Sequence, residues 1–520
     1  MTKQTTPAEG DFTLSHREIK IVLSGLMAGT LMGSLDQTIV ATALPTIVGD
    51  LGGIRYLSWV VTAYLLASTA STALYGKLSD IYGRKRLYQV AIGLFIVGSL
   101  LCGVAQNMLQ LVGARAIQGL GGGGLLVIGF AIIGDVIPPR ERGRYQGYFG
   151  AVFGASSIAG PLAGGFFVDG PGWRWIFLIN LPVGLLALYL TTTRLGNTNE
   201  RRAHKIDWTG AILLVLGVSA LLLALEQGGD RGWTSPVIVG LEVFALVLIG
   251  AFLIVESRVA EPILPLSIFR NRTFTVAGVL SFLMGMSMFG VIVFLPVYLQ
   301  IVKGLTPTES GLALLPLMAG LLVASIGSGR MITIRGRYKE WPIIGLAFSV
   351  VALILLANLE LDTPRWQYSL YMVVLGLGFG CTTQVLVLAS QNAVDRKDLG
   401  VATSTTQFLR QMGGTFGTAI FGTVLVNHLV AGINERLPGG VGEGCDPRAI
   451  TGAPSAILRC PPEVREPIQQ AFVSALNFTF FVAVPLLSIA FVLAFFLKEI
   501  PLERRAKSKP DADAEESLSR

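Results

Sequence analysis

Runs of about 20 mostly apolar residues, separated by short clusters of Arg and Lys, recur from residue 21 to residue 496. A chain with that pattern has few solvents it can fold in. In water so much contiguous apolar surface aggregates, whereas a hydrocarbon layer about 30 Å thick accepts each run as a helix that satisfies its own backbone hydrogen bonds. Fourteen helices are expected, at 21–44, 57–75, 87–105, 107–133, 145–168, 175–193, 208–225, 237–255, 274–299, 311–333, 341–359, 368–388, 401–426 and 471–496. Only 14% of the 520 residues are charged, where soluble domains carry nearer a quarter, so a water-soluble enzyme is excluded. The first run is too long for a signal-peptide core and ends in no small-residue cleavage pattern, so it is expected to stay as the first helix.

The basic residues orient the chain. With the N-terminus cytoplasmic, the inner segments hold 29 Arg and Lys and the outer loops hold 9, and the two that remain, Arg115 and Arg410, fall inside helices. Topology thus explains the net charge of +7 better than a nucleic-acid partner does. Of the four cysteines, Cys102 and Cys381 are expected within the membrane, while Cys445 and Cys460 share one outer loop, 427–470. That pair is a disulfide candidate, with two free thiols as the alternative. His16, His204 and His428 fall in unrelated places, so neither a metal site nor a catalytic cluster is expected.

An internal repeat divides the chain. Gly76, Gly83, Arg84 and Arg86 lie 253 residues before Gly329, Gly336, Arg337 and Lys339, and the same offset carries Gly147, Gly160 and Gly164 onto Gly400, Gly413 and Gly417. Helices 1 to 6 then match helices 9 to 14, with helices 7 and 8 as an inserted pair. The expected organisation is an N-terminal segment 1–20, a six-helix bundle 21–194, a linker with two inserted helices 195–272, a second six-helix bundle 273–497 and a polar tail 498–520. Two repeats of one orientation are the plan of a rocking secondary transporter, whose site lies between the halves.

Charges inside a bilayer are expensive and need a reason. Asp36 lies eight residues before the outer end of helix 1 and Arg115 eight residues after the outer start of helix 4. At 1.5 Å per residue both lie about 12 Å below the outer surface, level enough to face one cavity. A changing distance between them can load and release a proton, with a static ion pair as the alternative. Arg410, with Gln407 and Gln411 nearby, is expected to face the interior of the second bundle. Phe282, Met286 and Phe289 follow helical spacing and form a candidate wall for substrate, with Gln37, Tyr64, Gln118 and Gln384 as polar candidates beside it. Gly119, Gly121 and Gly124 have the spacing of a dinucleotide fingerprint, yet no strand precedes them, and close helix packing explains them better. The absence of a Walker A sequence argues against ATP drive.

These motifs resemble the major facilitator superfamily, in particular its fourteen-helix drug:proton antiporter family (EmrB/QacA-like), over nearly the whole chain. Gly76, Asp80, Gly83, Arg84 and Arg86 are similar to the family's loop motif between helices 2 and 3, Arg115 to Gly119 to its helix 4 motif, and Gly147, Gly160, Pro161, Gly164 and Gly165 to its antiporter helix 5 motif. Ser156 stands where that last motif usually has a further glycine. The resemblance implies an all-α major facilitator fold, a cytoplasmic gate at Asp80 to Arg86, and proton and cation coupling through Asp36 and Arg115. It further implies multi-pass placement in the cytoplasmic membrane, monomeric function among lipid, protons and small molecules, no cofactor beyond the proton gradient, and no enzymatic activity. The expected function is proton-driven export of amphipathic, often cationic, drugs. Export of one endogenous amphiphile, such as a lipid, a siderophore or an antibiotic made by the cell, is the alternative. A membrane sensor that transports nothing is the second.

Overall fold

The computed structural model describes residues 16–51, 56–195, 207–259, 261–437 and 460–502. Among these residues the chain forms helices and no strand. In order they are α1 His16–Leu51, α2 Leu57–Tyr82, α3 Arg84–Gly103, α4 Met108–Val136, α5 Pro139–Asp169, α6 Trp175–Leu178, α7 Asn180–Arg194, α8 Trp208–Arg231 and α9 Pro236–Glu256. The second part of the chain continues with α10 Arg272–Ile301, α11 Pro307–Ala313, α12 Leu315–Arg335, α13 Glu340–Leu356, α14 Arg365–Asn392, α15 Leu399–Arg436 and α16 Pro462–Ala494.

Twelve spans among the described residues are long and apolar enough to cross a membrane, counting α6 with α7. The 17-residue α13 and the more polar α2 occupy the two other expected segments. Large apolar side chains cover the outside: α9 exposes Val243, Phe244, Leu246 and Val247 in a row that water would not tolerate and lipid matches. Buried polar residues instead gather where helices meet, since a polar group withdrawn from both water and lipid has to find its partners inside the protein.

Several helices run past their apolar stretches. The first begins at His16 and ends at Leu51, between one and two turns beyond the expected 21–44 at each end. The expected outer loop 427–470 is narrower in the structure, because α15 stays helical to Arg436 and α16 starts at Pro462. Hydropathy marks only the part of a helix that meets hydrocarbon, while the hydrogen-bond ladder continues into water. Two expected helices are interrupted: 175–193 breaks at Ile179, with Pro182 soon after, and 311–333 begins as a separate turn, α11, before Pro316 restarts it as α12. Cys445 lies outside the described residues, and so does the candidate pairing with Cys460, which is buried.

The duplicated plan is visible helix by helix. Adding 253 to α3 gives 337–356, against α13 at Glu340–Leu356, and adding it to α4 gives 361–389, against α14 at Arg365–Asn392. Gly83 and Gly336, one offset apart, both have positive φ, +92° and +74°, at the end of α2 and α12. A side chain there would be strained, which is why the turn needs glycine in both copies. Buried apolar side chains follow the same division: one cluster draws on residues 277–502, and two others draw on residues 19–195 with Val387 as the one outsider.

The halves meet closely at the end that carries Arg84, Arg140 and Arg335. A Cβ placed on Gly329 would run into the Gly143 carbonyl, and one on Gly76 would run into Ser404 and the Gly400 carbonyl. Arg140 donates from Nε to the Thr333 carbonyl at 2.8 Å, and Gln146 donates to Gln391 at 2.9 Å. The inserted pair touches both halves, since Leu214, Val218 and Leu222 of α8 cluster with Leu66 and Leu74 of α2 and with Phe408 and Met412 of α15. At the opposite end Thr62 of α2 donates to Glu226 at 3.0 Å, and Trp233, beyond α8, donates to Thr423 of α15 at 3.2 Å.

Candidate transport site

Asp36 and Arg115 face each other across α1 and α4 and form an ion pair at 2.5 Å, with exposures of 0% and 1%. Their burial follows from small residues in the surrounding helices: Gly98 of α3 lies against the backbone of Gln118, so α3 and α4 approach closely enough to enclose the pair. The carboxylate is fully occupied. Its Oδ2 accepts from Arg115, and its Oδ1 accepts from Gln118 Nε2 at 2.7 Å and Asn180 Nδ2 at 3.1 Å. Arg115 also donates to Gln118 Oε1 at 2.7 Å and to the Val60 carbonyl at 3.2 Å, and its guanidinium lies 4.3 Å from the centre of the Tyr64 ring. Ser99 accepts from both Gln118 and Asn180. The result is a neutral, hydrogen-bonded knot inside the first bundle, in which each charge depends on the other.

Two members of this knot were not singled out as site residues by sequence, Ser99 and Asn180. Asn180 offers a signal, since it is a polar residue opening an otherwise apolar helix just after a break. Ser99 has none, because serine within a membrane helix usually bonds its own backbone.

At the Arg-rich end, Arg84 contacts Asp80 and Ser79 and pairs with Asp135 of α4 at 2.8 Å. A Cβ on Gly400 would meet Arg84, Asp80 and the Gly76 carbonyl together, so this cluster sits against the first turn of α15 in the other half. The Asp80 carboxylate lies beside that helix N-terminus, a favourable place for negative charge. Arg86 is exposed. In the helix 5 motif Gly147 packs on Ser325 of α12, Gly160 on Thr38 of α1, Gly164 is buried and Gly165 faces open space. The side chain of Pro161 lies outside the described ones.

An apolar cavity lies between the halves. Phe130, Phe149 and Phe153 line it from the first half, and Met288, Phe289 and Phe379 from the second. Its polar lining is Ser325, Thr383, Gln384 and Arg410. Of the nine residues expected along a substrate cavity, Phe289, Gln384 and Arg410 line this one. Tyr64 and Gln118 belong to the ion-pair knot, Gln37 is exposed next to Asp36, and Phe282 stacks edge-on against Phe416 at 5.7 Å. Met286 and Gln407 are buried, Gln407 one turn along α15 from Arg410. Asp36 and Arg115 do not line this cavity. The repeat is broken chemically where it matters, for Asp36 plus 253 is Phe289 and Arg115 plus 253 is Tyr368.

Two pseudo-repeated helical bundles with a shared cavity and an intramembrane ion pair define a multi-pass membrane transporter rather than an enzyme. The chain belongs to the major facilitator superfamily, whose model matches residues 26–418. It is 38% identical to multidrug resistance protein 3 of Bacillus subtilis, over 96% of this chain and 99% of that one. It is 41% identical to an uncharacterized transporter of the superfamily from Mycobacterium tuberculosis, over 96% of this chain and 72% of the relative. Among solved structures, a double-tryptophan mutant of XylE superimposes with a TM-score of 0.65 at 14% identity, over 94% of this chain and 98% of that one, a likeness of fold alone.

Proposed function

We propose that this chain is a proton-coupled antiporter that exports amphipathic small molecules. In this reading it has fourteen spans with both termini in the cytoplasm, so the Arg-rich end is the cytoplasmic one and is closed. The observation that carries the proposal is the Asp36–Arg115 pair, buried in the half that faces the cavity through α4 and α5. In this reading the three donors withdraw from the carboxylate as the halves move, which is how an ion pair can tie proton transfer to a change of shape. Rocking of the halves would open the Arg84 cluster, separate α2 from α15 and expose the phenylalanine-lined cavity to the cytoplasm. The names of the relatives, a multidrug resistance protein and the efflux pump FUS6 of Gibberella moniliformis, 33% identical over 93% of this chain, support export as the direction. An amphipathic cargo follows from the cavity, whose walls are aromatic and whose polar groups are few.

The test uses cells lacking their own pumps, loaded with two dyes on one xanthene body, anionic fluorescein and cationic rhodamine 123. Expression of the chain should lower the retention of at least one dye, and both a protonophore and Asp36→Asn should restore it. Unchanged retention of both dyes, with the chain present in the membrane, would remove the efflux reading.

A further inference from the structure

We infer that the cavity between the halves recognises an anionic head group, a carboxylate or sulfonate, on its amphipathic cargo, and that Arg410 is the residue that binds it. The inference rests on the efflux reading and narrows its substrate class. Two arginines fall inside the apolar runs, one in each bundle, and they are treated differently. Arg115 is neutralised by Asp36, whereas Arg410 makes no ion pair or hydrogen bond among the described residues, and its buried Nε has no partner. Other buried polar atoms are orphaned too, one of them, on Gln384, in the lining of the same cavity. Gln384 Oε1, Gln411 Oε1 and both side-chain polar atoms of Gln407 are buried without a hydrogen bond, and Gln407 and Gln411 lie within one turn of Arg410 on α15.

Buried polar groups in a folded protein are nearly always paired, and an unpaired arginine lining a cavity beside an unpaired glutamine oxygen calls for an explanation. Packing does not supply it. The N-terminal counterpart of Arg410 is Ser157, whose hydroxyl simply bonds the Phe153 carbonyl, so the repeated architecture does not need a charge there. No acidic residue lines the cavity, and Arg410 is its one charged lining residue. A carboxylate or sulfonate arriving beside Arg410 would take its guanidinium N–H groups in fork geometry, with the Gln384 amide at the same cavity wall. The aromatic walls would take the apolar body. A cation in the same place would meet repulsion: like charges about 6 Å apart at an effective dielectric near 20 lose affinity on the order of a hundredfold. The cationic cargo expected from the motifs does not suit this cavity.

The experiment titrates purified full-length chain, in nonionic detergent, into fluorescein and into rhodamine 123 and follows the fluorescence anisotropy of each dye. The wild type should bind fluorescein at least tenfold more tightly than rhodamine 123. Arg410→Ala should weaken fluorescein on the order of tenfold to a hundredfold and strengthen rhodamine 123, while Arg410→Lys should retain part of the fluorescein affinity. Because Arg410 leaves no partner behind, Arg410→Ala should melt no lower than the wild type, so lost binding cannot be ascribed to unfolding. Equal affinity for the two dyes, preference for rhodamine 123, binding of neither, or fluorescein binding indifferent to Arg410→Ala would each overturn the assignment. Proton-driven export of rhodamine 123 alone would overturn it and leave efflux standing. Fluorescein binding through Arg410 without export from cells would keep the anion site and remove efflux.

Discussion

Removing either charge of the Asp36–Arg115 pair should have unequal consequences. Asp36→Asn keeps the side-chain shape but leaves Arg115, 1% exposed, without its counter-ion. Arginine cannot give up its proton to escape, so the full cost of an uncompensated buried charge applies, about 3 to 5 kcal/mol. Arg115→Gln leaves Asp36, and a carboxylate can take a proton, keeping its bonds from Gln118 and Asn180 as an acceptor. Its cost should be about 1 to 3 kcal/mol, that of lost hydrogen bonds. In the double variant Asp36→Asn with Arg115→Gln no charge remains, and the loss should fall below that of Asp36→Asn alone. The assay is thermal unfolding of the four purified proteins in one detergent at one pH, followed by tryptophan fluorescence, with the order of melting points as the result. Additive losses in the double variant, or a lower melting point for Arg115→Gln than for Asp36→Asn, would refute the account of the pair as mutually dependent.

Other outcomes follow from the contacts between helices. Arg84→Ala removes the link between Asp80 and Asp135, so a cysteine introduced at Gln146, fully buried at the closed end, should react with a membrane-impermeant maleimide from the cytoplasmic side about tenfold faster; an unchanged rate would mean that the cluster does not hold that end shut. A Cβ at Gly98 would stand 2.5 Å from the backbone of Gln118, so Gly98→Ala should lower stability by about 1 to 3 kcal/mol through separation of α3 and α4, measured as a lower melting point. Trp233→Phe deletes the hydrogen bond to Thr423 and should cost about 1 kcal/mol in the same assay, while leaving the dye affinities unchanged.

The fold was legible in the chain because lipid imposes a coarse rule. Apolar length and basic clusters locate helices, and glycines at an offset of 253 expose the duplication, since both copies of a turn such as Gly83 and Gly336 need the same backbone conformation. Helix ends were less legible. Polar residues such as Glu18 and Arg436 continue a helix beyond the hydrocarbon, where hydropathy carries no signal. Asp36 and Arg115 stand out because charge in an apolar run is costly. Their positions along α1 and α4 let them meet, but position along a helix says nothing of the direction a side chain takes, and the pair turns into the first bundle rather than onto the cavity between halves. The difference between Arg115 and Arg410 is likewise invisible along the chain. Both are single arginines in apolar helices, and only the three-dimensional arrangement reveals that one is paired and the other is not.

The central claim is that proton flow through Asp36 drives cargo out of the cell. Its most direct test places the purified chain in proteoliposomes with an acidic lumen and follows uptake of the dye that cells export, selecting the inside-out molecules. Fluorescein is a weak acid and passively avoids an acidic lumen, so its accumulation there requires a carrier. The account predicts accumulation that collapses when nigericin dissipates the pH gradient and that is absent with Asp36→Asn. Uptake that ignores the gradient, or that survives Asp36→Asn undiminished, would contradict it.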